Sequence, residues 1–201
     1  MKTPIMALSV SFLFMALCLG QKTRAELLFK DGAQLKGLAE LSPSKTIRFK
    51  EHPMAKRQWY TFNEVDTLKL YYDIEPTIYV NLQVKNKILP KFLEIAQKGK
   101  KVVAYHETSI GYMVPAAFPN GGFDGVTNTG RFYKVGSSYL RKTNEKEAIH
   151  LGSNQLFTKN FKKAASNFFA DCPELVNKIL DKEFKRKHLE EIIAFYNNQC
   201  E

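Results

Sequence analysis

The hydrophobic period of this chain changes partway along, and that change constrains the fold more than any other feature. Between residues 26 and 84 apolar and polar side chains alternate, whereas from Ser153 to Cys200 the apolar residues return every third or fourth position. Alternation suits a strand covered on one face, and the second pattern suits a helix with one apolar stripe. The chain is therefore read as α+β. A β-rich, barrel-like antiparallel half with one short helix is expected over 26–142, and a three-helix unit packed on it over 153–200.

The expected strands are short and punctuated. Glu26 to Lys30 runs into Asp31-Gly32, a strong hairpin turn signal, and Ala33 to Leu41 returns. Thr46 to Lys50, Gln58 to Phe62, Thr67 to Tyr72 and Thr77 to Val84 follow. Leu89, Phe92, Leu93 and Ala96 have helical spacing, with Pro90 in a permitted first turn and Gly99 as a stop, so the spacing predicts a short helix over 88–98. Val102 to Tyr105, Arg131 to Val135 and Ser138 to Lys142 read as strands. The glycine-rich stretch Thr108 to Gly130 reads as a long loop.

In the helical region Ser153 is a candidate N-cap, followed by a stripe of Leu156, Phe157, Phe161, Ala164, Ala165, Phe168 and Phe169. Pro173 suits the first turn of a second helix lined by Leu175, Val176, Ile179 and Leu180. Leu189, Ile192, Ile193 and Tyr196 line a third.

The first twenty residues read as a secretory leader: Lys2, then an apolar run from Ile5 to Leu19 broken only by Ser9 and Ser11, then Gly20. A helix over that run rises about 22 Å, short of the roughly 30 Å hydrocarbon core of a bilayer. Cleavage is expected after Gly20, with Ala25 as the alternative; anchoring through a lipid on Cys18 is disfavoured because Leu17 precedes it. Loss of Lys2 with residues 1–20 takes the net charge from +10 to +9. Cys172 and Cys200 then remain as an even pair in an oxidising compartment, and a structural disulfide is expected. Cys-x-x-Cys spacing and nearby metal ligands, the marks of redox or zinc sites, are missing.

The order of leader, strand pair around a glycine turn, β-rich half and helical end resembles a group of exported proteins of the Bacteroidota that have no assigned activity. The likeness rests on Asp171-Cys172-Pro173-x-Leu175 and on Tyr196-Asn197-x-x-Cys200. It implies export and supplies no catalytic residue.

Few of the chain's residues form a recognisable chemical motif. His52, His106, His150 and His188 have no metal-ligand spacing, and residues 118–125 lack the Gly-Lys-Ser/Thr ending of a phosphate loop. Asn120, Asp124 and Asn128 lack the alternation of a calcium loop, so no metal or cofactor is expected. The expected class is a non-enzymatic binding or envelope-associated protein, periplasmic or secreted, partnered with an anionic polymer or envelope component. One rival is a polymer hydrolase using His106, Glu107 and Asp124. The other is an anion-binding module in which Lys56, Arg57, Lys69 and Arg131 contact the ligand among the aromatics of the β-rich half. Export argues against nucleic acid. The thirty Lys and Arg are dispersed among twenty acids, as on an ordinary solvated surface.

Overall fold

The computed structural model describes residues 22–113, 131–153 and 161–200. Tertiary contacts divide the chain into two compact units that meet at Pro76 and Thr77. That partition differs from the β-rich and helical regions of the sequence reading, because five strands belong with the helices. The α+β class stands: the described residues form ten antiparallel strands followed by three helices.

The first unit is built from β1 (Thr23–Phe29), β2 (Gln34–Leu41), β3 (Ile47–Lys50), β4 (Gln58–Tyr60) and β5 (Val65–Tyr71), in the order β5-β1-β2-β3-β4. The Asp31-Gly32 signal makes the β1–β2 turn as expected. The Asp31 carboxylate accepts the Ala33 N–H at 2.9 Å, and Gly32 takes φ 89°, a conformation that a Cβ would strain. Alternation sends Leu27, Ile47, Phe49, Leu68 and Leu70 to one face, where all are buried. Tyr60 packs edge-on against Phe29, with ring centroids 5.0 Å apart.

The second unit is a meander of β6 (Thr77–Leu82), β7 (Lys91–Lys98), β8 (Val102–Met113), β9 (Arg131–Lys142) and β10 (Ile149–Ser153). Its two ends touch through one parallel bridge, Val84 to Ala148, with flanking bonds from Lys85 N–H to the Ala148 carbonyl and from Ala148 N–H to the Gln83 carbonyl. The pairing stops there. The barrel expected from sequence is thus an open, curled sheet, because one bridge does not make a ladder.

Three helices follow: α1 (Phe161–Phe168), α2 (Pro173–Leu180) and α3 (Leu189–Gln199), the last preceded by a 3-10 turn at Arg186–His188. Pro173 sits in the first turn of α2, where its missing N–H has no cost. The strand β8 separates two cores. Val102 and Ala104 join Leu140, Leu151, Phe169, Leu175, Ile179 and Ile192 under the helices, while Val103 and Tyr105 join Val84, Leu93 and Tyr139 on the other face. Each fully buried Leu, Ile or Phe contributes about 1.5–3 kcal/mol.

Three local expectations are corrected. Residues 91–98 form β7 and not a helix. Phe92 and Leu93 are both buried because this strand is covered on two sides, so its apolar residues mimic a helical stripe. Ser153 ends β10 and is no helix cap; Leu156 and Phe157 lie outside the described residues. The 108–130 stretch begins as strand, since β8 runs to Met113, and the glycines beyond it lie outside the described residues.

Candidate functional site

The residues that carry the sequence resemblance converge on structure. Cys172 and Cys200 form a disulfide with Cα atoms 5.5 Å apart. Beside it, the Asp171 carboxylate accepts bonds from Lys142 Nζ at 2.7 Å and Tyr196 OH at 2.6 Å. Burial alone would raise the Asp171 pKa, but bonds from Lys142 and Tyr196 outweigh it and hold the carboxyl below its ordinary value. Asn197 Oδ1 accepts the Lys101 N–H at 2.7 Å, its Nδ2 donates to the Ile193 carbonyl, and Lys101 Nζ donates to the Cys200 carbonyl. Both motifs therefore fasten the helices to the sheet.

Two of the three hydrolase candidates, His106 and Glu107, are not brought together. His106 and Glu107 are neighbours on β8 and so point to opposite faces. His106 shares a hydrogen bond with Thr108 at 3.1 Å. Glu107 is buried, and its Oε2 accepts from Lys91 Nζ and from Tyr139 OH, both at 2.7 Å. Burial, and then the Glu107 carboxylate, push the Tyr139 hydroxyl far above its usual range, which leaves it a donor and unfit as a base. Asp124 lies outside the described residues. No group of three metal-ligating side chains occurs among the described residues.

A further cation proves structural. Arg186, in the basic stretch 182–188, donates to the carbonyls of Ser153, Gly152 and Gly136, and desolvation lowers its pKa.

Charge gathers instead on the face of the first unit's strands opposite their core. The register places its residues in rows. One row reads Lys22, Glu40, Arg48, Trp59, extended to Lys22 by continuing the Thr23–Ala39 pair. The next reads Tyr71, Arg24, Leu38, Lys50, with Arg57 one step beyond β4. A third reads Lys69, Glu26, Lys36. Among the described residues of these rows, seven cations (Lys22, Arg24, Lys36, Arg48, Lys50, Arg57, Lys69) thus share the face with two carboxylates. Glu26 serves Lys69 at 2.9 Å and Lys36 at 3.5 Å, and Glu40 serves Arg48 at 3.4 Å. Among the described residues, Arg24, Lys50 and Arg57 have no carboxylate at ion-pair distance. Lys22 is pressed below its ordinary pKa, by partial desolvation first and then by Lys50 and Arg57.

Aromatic rings punctuate this face. Trp59 is 55% exposed, with the Arg48 guanidinium 5.2 Å and that of Arg57 5.9 Å from its ring centre. Arg24 lies 5.5 Å from the Tyr71 ring centre. The Arg48 Nε is buried with no hydrogen-bond partner. Polar and apolar walls from Arg24, Glu26, Lys36, Gly37 and Tyr71 enclose a shallow hollow of about 410 Å³.

Of the four residues expected to contact a ligand, Arg57 belongs to this face, and Lys69 lies on it but is held by Glu26. Lys56 is exposed in the β3–β4 loop. Arg131 opens β9 in the second unit, and its side chain lies outside the described residues. Sequence reading missed Lys22, Arg24, Arg48 and Lys50. Their signal was present: each cation alternates with a core residue, so one strand register puts them on one side.

No family model matches this chain, and neither a curated protein nor a solved structure shows significant similarity to it.

Proposed function

We propose that this is an exported, non-enzymatic binding protein of the cell envelope or its surroundings, and that the basic face of the first unit holds an anionic polymer, an acidic polysaccharide. The observation that carries this reading is the seven-to-two excess of cations over carboxylates on one sheet face, with arginines beside an exposed tryptophan. Like charges so placed repel one another, and a polyanion relieves that repulsion. Trp59 and Tyr71 offer flat apolar surfaces to sugar rings while the guanidiniums take carboxylate or sulfate groups. Export is supported by the leader pattern and by a disulfide, which persists in oxidising compartments. Among the described residues no helix is long and apolar enough to cross a membrane.

The test is chromatography on immobilised heparin and on a neutral polysaccharide. The protein is expected to elute from heparin above roughly 0.15 M salt and to pass through the neutral matrix. A Lys50→Gln/Arg57→Gln variant is expected to elute earlier. Elution of the unaltered protein below physiological salt would refute the reading. N-terminal sequencing of exported protein is expected to start at Gln21; a start at Met1 would remove the export step.

A further inference from the structure

The loop between β6 and β7 exposes two adjacent aliphatic side chains that the fold does not use. Ile88 is 99% and Leu89 75% exposed. The spacing predicts Leu89 on a short helix over 88–98, and the structure leaves it in solvent. We propose that this loop is a membrane-contacting tip that seats Ile88 and Leu89 in the head-group region of an anionic bilayer.

The tip is pre-shaped. The Val84–Ala148 bridge fixes its base, and the Lys87 N–H donates to the Val84 carbonyl at 3.0 Å. The Gln83 amide donates to the carbonyls of Lys87 and Val84, and Asn86 takes the left-handed conformation at φ 64°. Pro90 disfavours helical backbone at Leu89. Presenting the two side chains therefore costs little further ordering.

Charge selects the occupant. Residues 83–93 hold Lys85, Lys87 and Lys91 and no Asp or Glu. Lys91 is committed to Glu107, while Lys85 and Lys87 flank the tip in exposed positions. Lys85 also borders a hollow with Lys163 and Asn167 of α1. Apolar residues at an apex with lysines behind them match a bilayer whose surface is anionic and whose interior is hydrocarbon. A protein partner fits less well, because a stable interface covers about 800 Å² per side and a convex two-residue tip is far smaller.

Sedimentation with lipid vesicles tests this, using the chain from Gln21 so that the apolar leader contributes nothing. The protein is expected to pellet with vesicles of phosphatidylglycerol mixed with phosphatidylethanolamine. An Ile88→Ser/Leu89→Ser variant is expected to bind at least about tenfold more weakly. A Lys85→Gln/Lys87→Gln variant is expected to lose the preference for these vesicles over phosphatidylcholine. Both sites are exposed, and an unchanged circular dichroism spectrum shows that the fold is kept. Unaltered protein left in the supernatant overturns the inference, as does a serine variant that pellets fully. Self-association that the serine variant abolishes, without vesicle binding, assigns the tip to a second copy and also overturns it. The inference is independent of the polysaccharide reading. If Lys50→Gln/Arg57→Gln abolishes pelleting and the serine variant does not, the tip fails while the basic face stands. Vesicle binding without heparin retention gives the reverse.

Discussion

Asp171 shows what a single residue does here. Its carboxylate gathers a lysine and a tyrosine beside the disulfide, and the Lys142 ammonium also lies 5.7 Å from the ring centres of Phe168 and Tyr196. An aspartate held below its ordinary pKa stabilises the fold above the unfolded value of about 3.9, and that contribution fades as pH falls through the folded value. Desolvation, the largest single influence on Lys142, would lower it, but Asp171 and Tyr196 together outweigh it and raise the lysine; Tyr196 is raised by desolvation and then by Asp171. Raised values give the opposite limb: stability present below about pH 10 is lost as pH climbs through the folded pKa values. Asp171→Asn is therefore expected to cost about 1–2 kcal/mol near neutral pH, a modest figure because the carboxylate is 45% exposed and screened. Urea melts at several pH values check this. The variant should lose part of the acid-side decline; equal slopes on the acid side for both proteins would mean that Asp171 is not the group responsible.

At the scale of elements, the α3 helix is fixed to the β7–β8 turn by close approach. A Cβ on Gly99 would lie 2.1 Å from Asn197 Nδ2, and that amide is already committed to Lys101 and Ile193. Gly99→Ala is expected to cost about 1–3 kcal/mol, and Asn197→Ala in the same chain should recover part of it. Thermal melts of the two single variants and the double variant measure the coupling; strict additivity would show that the turn relaxes around the new methyl. The same turn shows where sequence reading stops. Strands β1, β3 and β5 were legible because one face is wet and alternation survives. The strand β7 was not, since Phe92 stacks on Tyr79 at 5.0 Å while Leu93 fills the inner core, and a bulge between Ile95 and Gln97 breaks the period again. Gly99 read as a helix stop is really a docking point. The candidate site was legible only in part for a related reason. Composition shows cations scattered along the chain, and it takes the register of strands distant in sequence to put Arg24, Arg48 and Lys50 on one face. Lys69 looked equally available until the pairing of β1 with β5 set Glu26 beside it.

At the scale of the molecule, the two units hold themselves together by different means, and the chain carries a reporter for each. The first unit relies on the side chains packed along its strands, and Trp59, the single tryptophan, stands on it. The second adds helices joined by the Cys172–Cys200 bridge, which spans 28 positions and contributes about 3–4 kcal/mol in the chain-entropy account. Helical circular dichroism at 222 nm therefore follows the second unit, because the three helices among the described residues belong to it. Reduction of the disulfide is expected to move the helical transition to lower urea by an amount consistent with that loss. The Trp59 fluorescence transition should remain where it was, as expected of regions that open with separate free energies. A common shift of both signals on reduction would mean that the chain unfolds as one cooperative body. Retention on heparin provides the functional counterpart: reduced protein with its helices loosened should still bind through the basic face, since that face lies in the first unit and the bridge in the second.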